Sequence, residues 1–234
     1  MIQILFQSAI DFTIIQTVVM MIATSLFFYS AVTVYLRAPS VLLNRIFAIA
    51  NVFLGLTPLS FVLSNIPVIL WEENILIFVQ LAYTCLLIGM IFFLISAIIL
   101  EFGEEEPFKP LYLIAMGAII VINLVVIWEI VFFENSIYYV ALGDINTSIW
   151  FKIVYYGSVP LVYLLTFFLY LKTYMAGEGT AKENMRWFLM GWIIGGLALI
   201  TSVLSDFFRP FDLINFLILA LAAFVQRRAF IKKT

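Results

Sequence analysis

The chain contains no histidine and one cysteine, Cys85. Without histidine there is no imidazole to bind zinc, ligate haem or act as a general base. A single cysteine cannot close an internal disulfide, and Cys85 lies in an apolar run, so it says nothing about redox compartment. Charge is also scarce. Only 11% of the 234 residues are Asp, Glu, Lys or Arg, against about 25% in soluble domains. The formal net charge is −2 and no basic patch is present, which argues against nucleic acid as a partner. The N-terminus, MIQILFQSAIDF, has no basic leader and no small-residue cleavage site, so no cleavable signal peptide is expected.

What fills the space is hydrocarbon: 65% of the residues are hydrophobic. A soluble fold of this size cannot hide that much apolar surface, so lipid must act as its solvent. The expected fold is an all-α membrane protein, one domain over residues 1–234. About 20 apolar residues cross a bilayer, and charged residues mark seven such stretches, at about 12–36, 46–65, 74–100, 111–133, 150–171, 187–205 and 211–229. The last is the awkward one. Only 213–226 is free of charge, about 21 Å of helix, so it spans only if Arg227 and Arg228 snorkel or Asp212 enters the boundary.

Lysine and arginine orient the bundle. With the N-terminus outside, Arg37, Arg45, Lys109, Lys172, Lys182, Arg186, Arg227, Arg228, Lys232 and Lys233 are cytoplasmic, and only Lys152 and Arg209 are external. The C-terminus is then cytoplasmic, and a multi-pass protein of the plasma membrane is expected. Trp71, Trp128 and Trp150 fall near the outer boundary and Trp187 near the inner, as interfacial anchors. The longest outer loop, 134–150, reads either as a hairpin turning at Gly143-Asp144 or as an irregular loop. Asn146-Thr147-Ser148 in it is a glycosylation sequon. No internal repeat and no soluble domain is apparent.

Polar residues on membrane helices usually face protein or water. Helix 2 carries a stripe of Asn44, Ala48, Asn51, Gly55 and Pro58, and helix 3 groups Gln80, Tyr83 and Thr84. Helix 5 aligns Tyr156, Pro160, Tyr163 and Tyr170, and helix 7 aligns Asp212, Asn215, Ala222 and Gln226. Each stripe reads either as interhelical hydrogen-bond glue or as the wall of a central cavity. Gly191, Gly195, Ala198 and Ser202 on helix 6 serve either packing inside the bundle or a homodimer face. Pro58 and Pro160 are expected to kink their helices. Glu129, expected one turn inside the end of helix 4, joins Glu134, Asp144, Asp206, Arg209 and Asp212 on the outer side. The candidate ligand-binding set is Asn51, Gln80, Tyr83, Glu129, Tyr156, Asp212 and Asn215, with Asp206 and Arg209 as a lid or ion pair.

Three segments carry a family resemblance: VQLAYTCLLIGMIFFLISAIIL (79–100), ENMRWFLMGWIIGG (183–196) and RPFDLINFLILALAAFVQRRAF (209–230). They resemble the seven-helix N-terminal membrane region of histidine kinases and related prokaryotic signalling proteins. Arg186-Trp187, Gly191, Asp212 and Arg227-Arg228 occupy the places of that family's inner-loop basic and aromatic pair, helix 6 glycine, helix 7 acid and basic exit. The resemblance implies ligand sensing by the bundle. In that family a transmitter module usually follows helix 7, whereas this chain ends at Thr234, so the expectation is either a cytoplasmic signalling partner in trans or loss of the module.

Other classes are weighed against this. A small-solute transporter or channel would use polar stripes and kinks, but the chain lacks a repeat, paired broken helices and a charge near the midplane. A covalent retinal pigment needs a lysine in mid-helix 7. There Asp212 is followed at i+4 by Phe216 and no lysine occurs. A membrane enzyme has neither histidine nor an acidic pair of recognisable spacing to work with. No catalytic residue, metal or cofactor is expected, and the partners are the lipid bilayer, the signalling protein and, on the dimer reading, a second copy.

Overall fold

A computed structural model describes residues 2–71, 73–129, 136–141, 144–205 and 210–230. Among these are seven α-helices and one two-stranded sheet: α1 (Ile2–Arg37), α2 (Leu42–Trp71), α3 (Leu76–Phe102), α4 (Pro110–Ile127), β1 (Ile137–Ala141), β2 (Asp144–Thr147), α5 (Ile149–Ala176), α6 (Gly179–Ser205) and α7 (Pro210–Arg227). Six of the helices, α1 to α6, are long and apolar enough to cross a membrane.

Neighbour relations make a ring. α1 packs on α2, α2 on α3, α3 on α5, α5 on α6, α6 on α7, and α7 returns to α1. α4 lies outside the ring against α5 and α3. The ring is held by close backbone approaches and aromatic stacking. At Gly89 of α3 a Cβ would come 3.0 Å from Leu54 and 3.3 Å from the Ala50 carbonyl of α2. At Gly191 of α6 it would come 3.0 Å from the Ala222 carbonyl of α7. The helix 6 small-residue stripe therefore packs inside the bundle. Phe47, Phe93, Tyr170, Phe188 and Trp192, from α2, α3, α5 and α6, form one buried aromatic cluster. There the Tyr170 and Ser96 hydroxyls share a 2.5 Å hydrogen bond, and Tyr170 Oη donates to the Phe93 carbonyl at 3.0 Å.

Helix ends depart from the expected spans, for physical reasons. α2 continues past Asn65 to Trp71, because Asn65 is satisfied inside the bundle by Thr17 Oγ1 at 3.0 Å and does not mark an interface. α6 begins at Gly179 and includes Lys182, Glu183 and Arg186: charge ends a membrane span but does not end a helix. α2 runs through Pro58 and Pro67, and α5 through Pro160, as unbroken helices. α4 stops at Ile127, so Glu129 is not part of that helix. It sits in the turn that follows, in the left-handed region at φ 55°.

β1 and β2 pair antiparallel as the two arms of a hairpin, Ile137 with Thr147, Tyr138 with Asn146 and Tyr139 with Ile145, with an irregularity between Tyr139 and Ala141. Its side chains alternate as a one-sided sheet requires: Ile137 and Thr147 are buried, Tyr138 and Val140 exposed. Ser148 then caps α5, accepting from the Phe151 N–H at 3.2 Å.

Candidate functional site

The ring encloses two adjoining chambers. The larger, about 100 Å³, lies at the hairpin end. Its polar wall comes from Gln16 of α1, Thr57 and Asn65 of α2, Tyr83 of α3, Ser202 of α6 and Asn215 of α7. Met20, Phe27, Phe61 and Phe216 supply much of the apolar wall, and Ile145 of β2 closes the end. The smaller, about 50 Å³ and almost wholly apolar, continues between Met90, Phe93, Tyr163, Trp192, Gly195, Ala222 and Gln226. Phe27, Leu54, Leu86, Leu199 and Leu219 line both.

No Asp, Glu, Lys or Arg is among the described residues that line either chamber. The polar groups are amides and hydroxyls, and several are already occupied within their own helices or neighbours. Thr57 Oγ1 donates to the Phe53 carbonyl at 3.2 Å, and Asn65 Nδ2 donates to Thr17. Two atoms stand out. Asn215, which lines the larger chamber, and Trp192, which lines the smaller, each carry a side-chain atom, Oδ1 and Nε1, that is buried in the wall without a hydrogen-bond partner. A buried orphan of this kind costs about 1–3 kcal/mol, a cost that a bound donor can remove at Asn215 by reaching Oδ1.

The hairpin is fastened over the larger chamber. Tyr139 Oη pairs with Ser64 Oγ at 2.9 Å and donates to the Ile75 carbonyl at 3.3 Å. Burial raises the Tyr139 hydroxyl above its ordinary pKa although the Ser64 bond pulls the other way, so it stays a neutral pin. The other end of the bundle is tied by basic residues. Arg227 Nη2 donates to Tyr29 Oη at 2.8 Å with the guanidinium 4.1 Å from that ring. Arg37 Nη1 donates to the Ala229 carbonyl at 3.2 Å, Arg228 lies 4.9 Å from the Trp187 ring, and Lys172 pairs with Glu101 at 2.5 Å.

No family model, curated protein or solved structure matches this chain. Its chemistry therefore has to be read from the chambers themselves.

Of the nine residues singled out from sequence, Tyr83 and Asn215 line the cavity. Asn51 is buried but donates back to the Phe47 carbonyl of its own helix at 2.8 Å. The small-residue face it belongs to turns towards α1, where a Cβ on Gly55 would be 3.2 Å from Phe27 and Phe28. The Gln80 carbonyl accepts from Thr84, whose Oγ1 accepts from Trp128 Nε1 just beyond α4; neither residue lines a chamber. Tyr156 packs on Phe151 and Tyr155 away from the chambers. Glu129 accepts from the Ile137 N–H at 3.3 Å and anchors the root of the hairpin. Asp206 and Arg209 lie outside the described residues, as does the side chain of Asp212, whose backbone is in the first turn of α7.

The sequence reading missed Gln16, Thr57 and Asn65. A signal was present: Leu54, Thr57, Phe61 and Asn65 recur at i, i+3, i+7 and i+11, and Gln16, Met20 and Phe27 share one face of α1. These faces mix polar groups with large apolar ones, whereas the α2 stripe chosen from sequence favoured small residues, and those pack against α1.

Proposed function

We propose that the chain is a sensor-like module of the plasma membrane, with seven spans and the hairpin end outside. It binds a small ligand in the central cavity and passes a shift of α7 to a cytoplasmic signalling partner. Asn215 carries the reading. It is an unsatisfied amide in the larger chamber, on the helix whose other end holds Arg227 against α1 and leads into Arg228 against α6. A ligand that engages Asn215 acts directly on α7, and any displacement reaches those ties. The excess of Lys and Arg at that end supports its cytoplasmic placement. α7 counts as the seventh span because it packs between α6 and α1 and shares their cavity wall. Likeness to the membrane region of sensor kinases points the same way.

Cross-linking in native membranes followed by mass spectrometry tests the signalling half. Recovery of a kinase, cyclase or response regulator linked to Lys172, Lys182 or the C-terminal lysines supports it. Recovery of the chain alone, together with solute flux in liposomes, would replace it with transport.

A further inference from the structure

The two chambers differ in character and share part of their wall, and that combination selects a ligand shape. The larger presents amide and hydroxyl groups beside aromatic rings, and the smaller is almost wholly apolar. Phe27, Leu54, Leu86, Leu199 and Leu219 belong to both walls, so the polar compartment and the apolar one adjoin at this leucine-lined waist. The combined space is on the order of the ~150 Å³ apolar cavity that admits benzene, so the occupant is small.

Among the described residues the wall carries no charge. An ion there would be desolvated with no counter-ion among the lining residues. The orphan at Asn215 is an acceptor, and a ligand hydroxyl or amide N–H would satisfy it. Length follows from helix geometry. Asn215 and Ala222, which line the two chambers, are seven residues apart on α7, about 10 Å. An extended chain advances about 1.2 Å per bond, so about eight bonds reach from one chamber to the other.

We infer that the cavity takes an uncharged single-chain amphiphile, a medium-chain alcohol or alkyl amide. Its hydrogen-bond donor lies at Asn215 and its tail passes the leucine waist to end against Trp192. This rests on the cavity-binding reading above and names the class of ligand.

The test uses the full chain in lipid nanodiscs with 8-bromo-1-octanol, whose tail bromine quenches nearby indoles. Saturable quenching that disappears in Trp192→Phe is expected. Partition into lipid gives only a non-saturating background. Asn215→Leu should weaken 1-octanol binding about fivefold, and octanoate at pH 7 should not compete. Gly195 lines the smaller chamber, and a Cβ there meets nothing nearer than Ala222 at 3.9 Å. Gly195→Leu should therefore fold and lower the longest alcohol bound, leaving 1-butanol unaffected. An unchanged length limit in that variant overturns the proposal, as does octanoate binding as tightly as octanol. Saturable phenol binding, lost in Asn215→Leu, without octanol binding would overturn the amphiphile and leave the cavity reading standing. No saturation by any of these probes removes both.

Discussion

α3 and α4 are the two most apolar spans in the chain, yet 61% of the core of α3 is buried inside the protein and only 22% of the core of α4. α3 stands in the ring between α2 and α5, and α4 lies outside it. Apolarity places a helix in the membrane and says nothing of its depth within the bundle, because lipid is as good a solvent for leucine as another helix is. The decisive features are few. α3 has a glycine under Leu54, a serine bonded to Tyr170 and a phenylalanine among the rings of Phe47, Phe188 and Trp192. α4 has a glycine facing open space, exposed Leu111, Ile114, Val121 and Ile122, and Asn123 as its single polar residue towards α5.

The comparison breaks most visibly at Phe93. It is 1% exposed, and truncation to alanine leaves a hole in the aromatic cluster. Phe→Ala in cores costs about 3–5 kcal/mol, and the lipid-solvated reference trims the transfer part, so about 3 kcal/mol is expected in reversible unfolding from mixed micelles. Ile114→Ala on α4, at a position 70% exposed, should stay within about 0.5 kcal/mol. Equal losses at the two positions would mean that α3 is not the core helix.

The two glycines sharpen the contrast. Gly89→Leu must push α2 away and should cost about 1–3 kcal/mol. Gly117→Leu has nothing within 4 Å to meet, and it removes glycine's backbone entropy cost, so a gain of up to about 1 kcal/mol is expected. Opposite signs in the same unfolding assay are the outcome that matters. A smaller effect is expected at Tyr170→Phe, which removes the hydroxyl linking α5 to α3. The loss should be about 1 kcal/mol by the same measurement, and the variant should leave the hairpin end unchanged.

The membrane class and the rough limits of α1 to α6 were legible in the sequence because hydropathy and charge act along the chain. The hairpin was half legible: IYYVA and DINT alternate as strands do, but only its fastening to Ser64 and Ile75 makes it a cover. The cavity was legible at Asn215 and Tyr83 and not at Gln16 or Asn65. Polarity on one helix reveals that a face seeks a partner. Whether that partner is the helix's own carbonyl, as at Asn51, or open space, as at Asn215, depends on which neighbour the ring brings alongside. Glu129 misled for a related reason. An acid expected inside a span turned out to lie past its end, accepting a hairpin N–H.

The smallest effect tests whether α4 matters to the site at all. Asn123 donates back to the Ile119 carbonyl at 2.8 Å and accepts from Ser158 Oγ of α5 at 2.9 Å. Asn123→Leu removes this link while keeping the residue's bulk. Single polar links between membrane helices average about 0.6 kcal/mol, so stability should fall by roughly that amount. Since no residue of α4 lines either chamber, octanol affinity should not change. Unchanged affinity with α4 loosened would show that α4 takes no part in shaping the cavity. A fall in affinity would mean that α4 buttresses α3 and α5 firmly enough to set the width of the chambers, and the inside–outside distinction between α3 and α4 would then hold for burial but not for function.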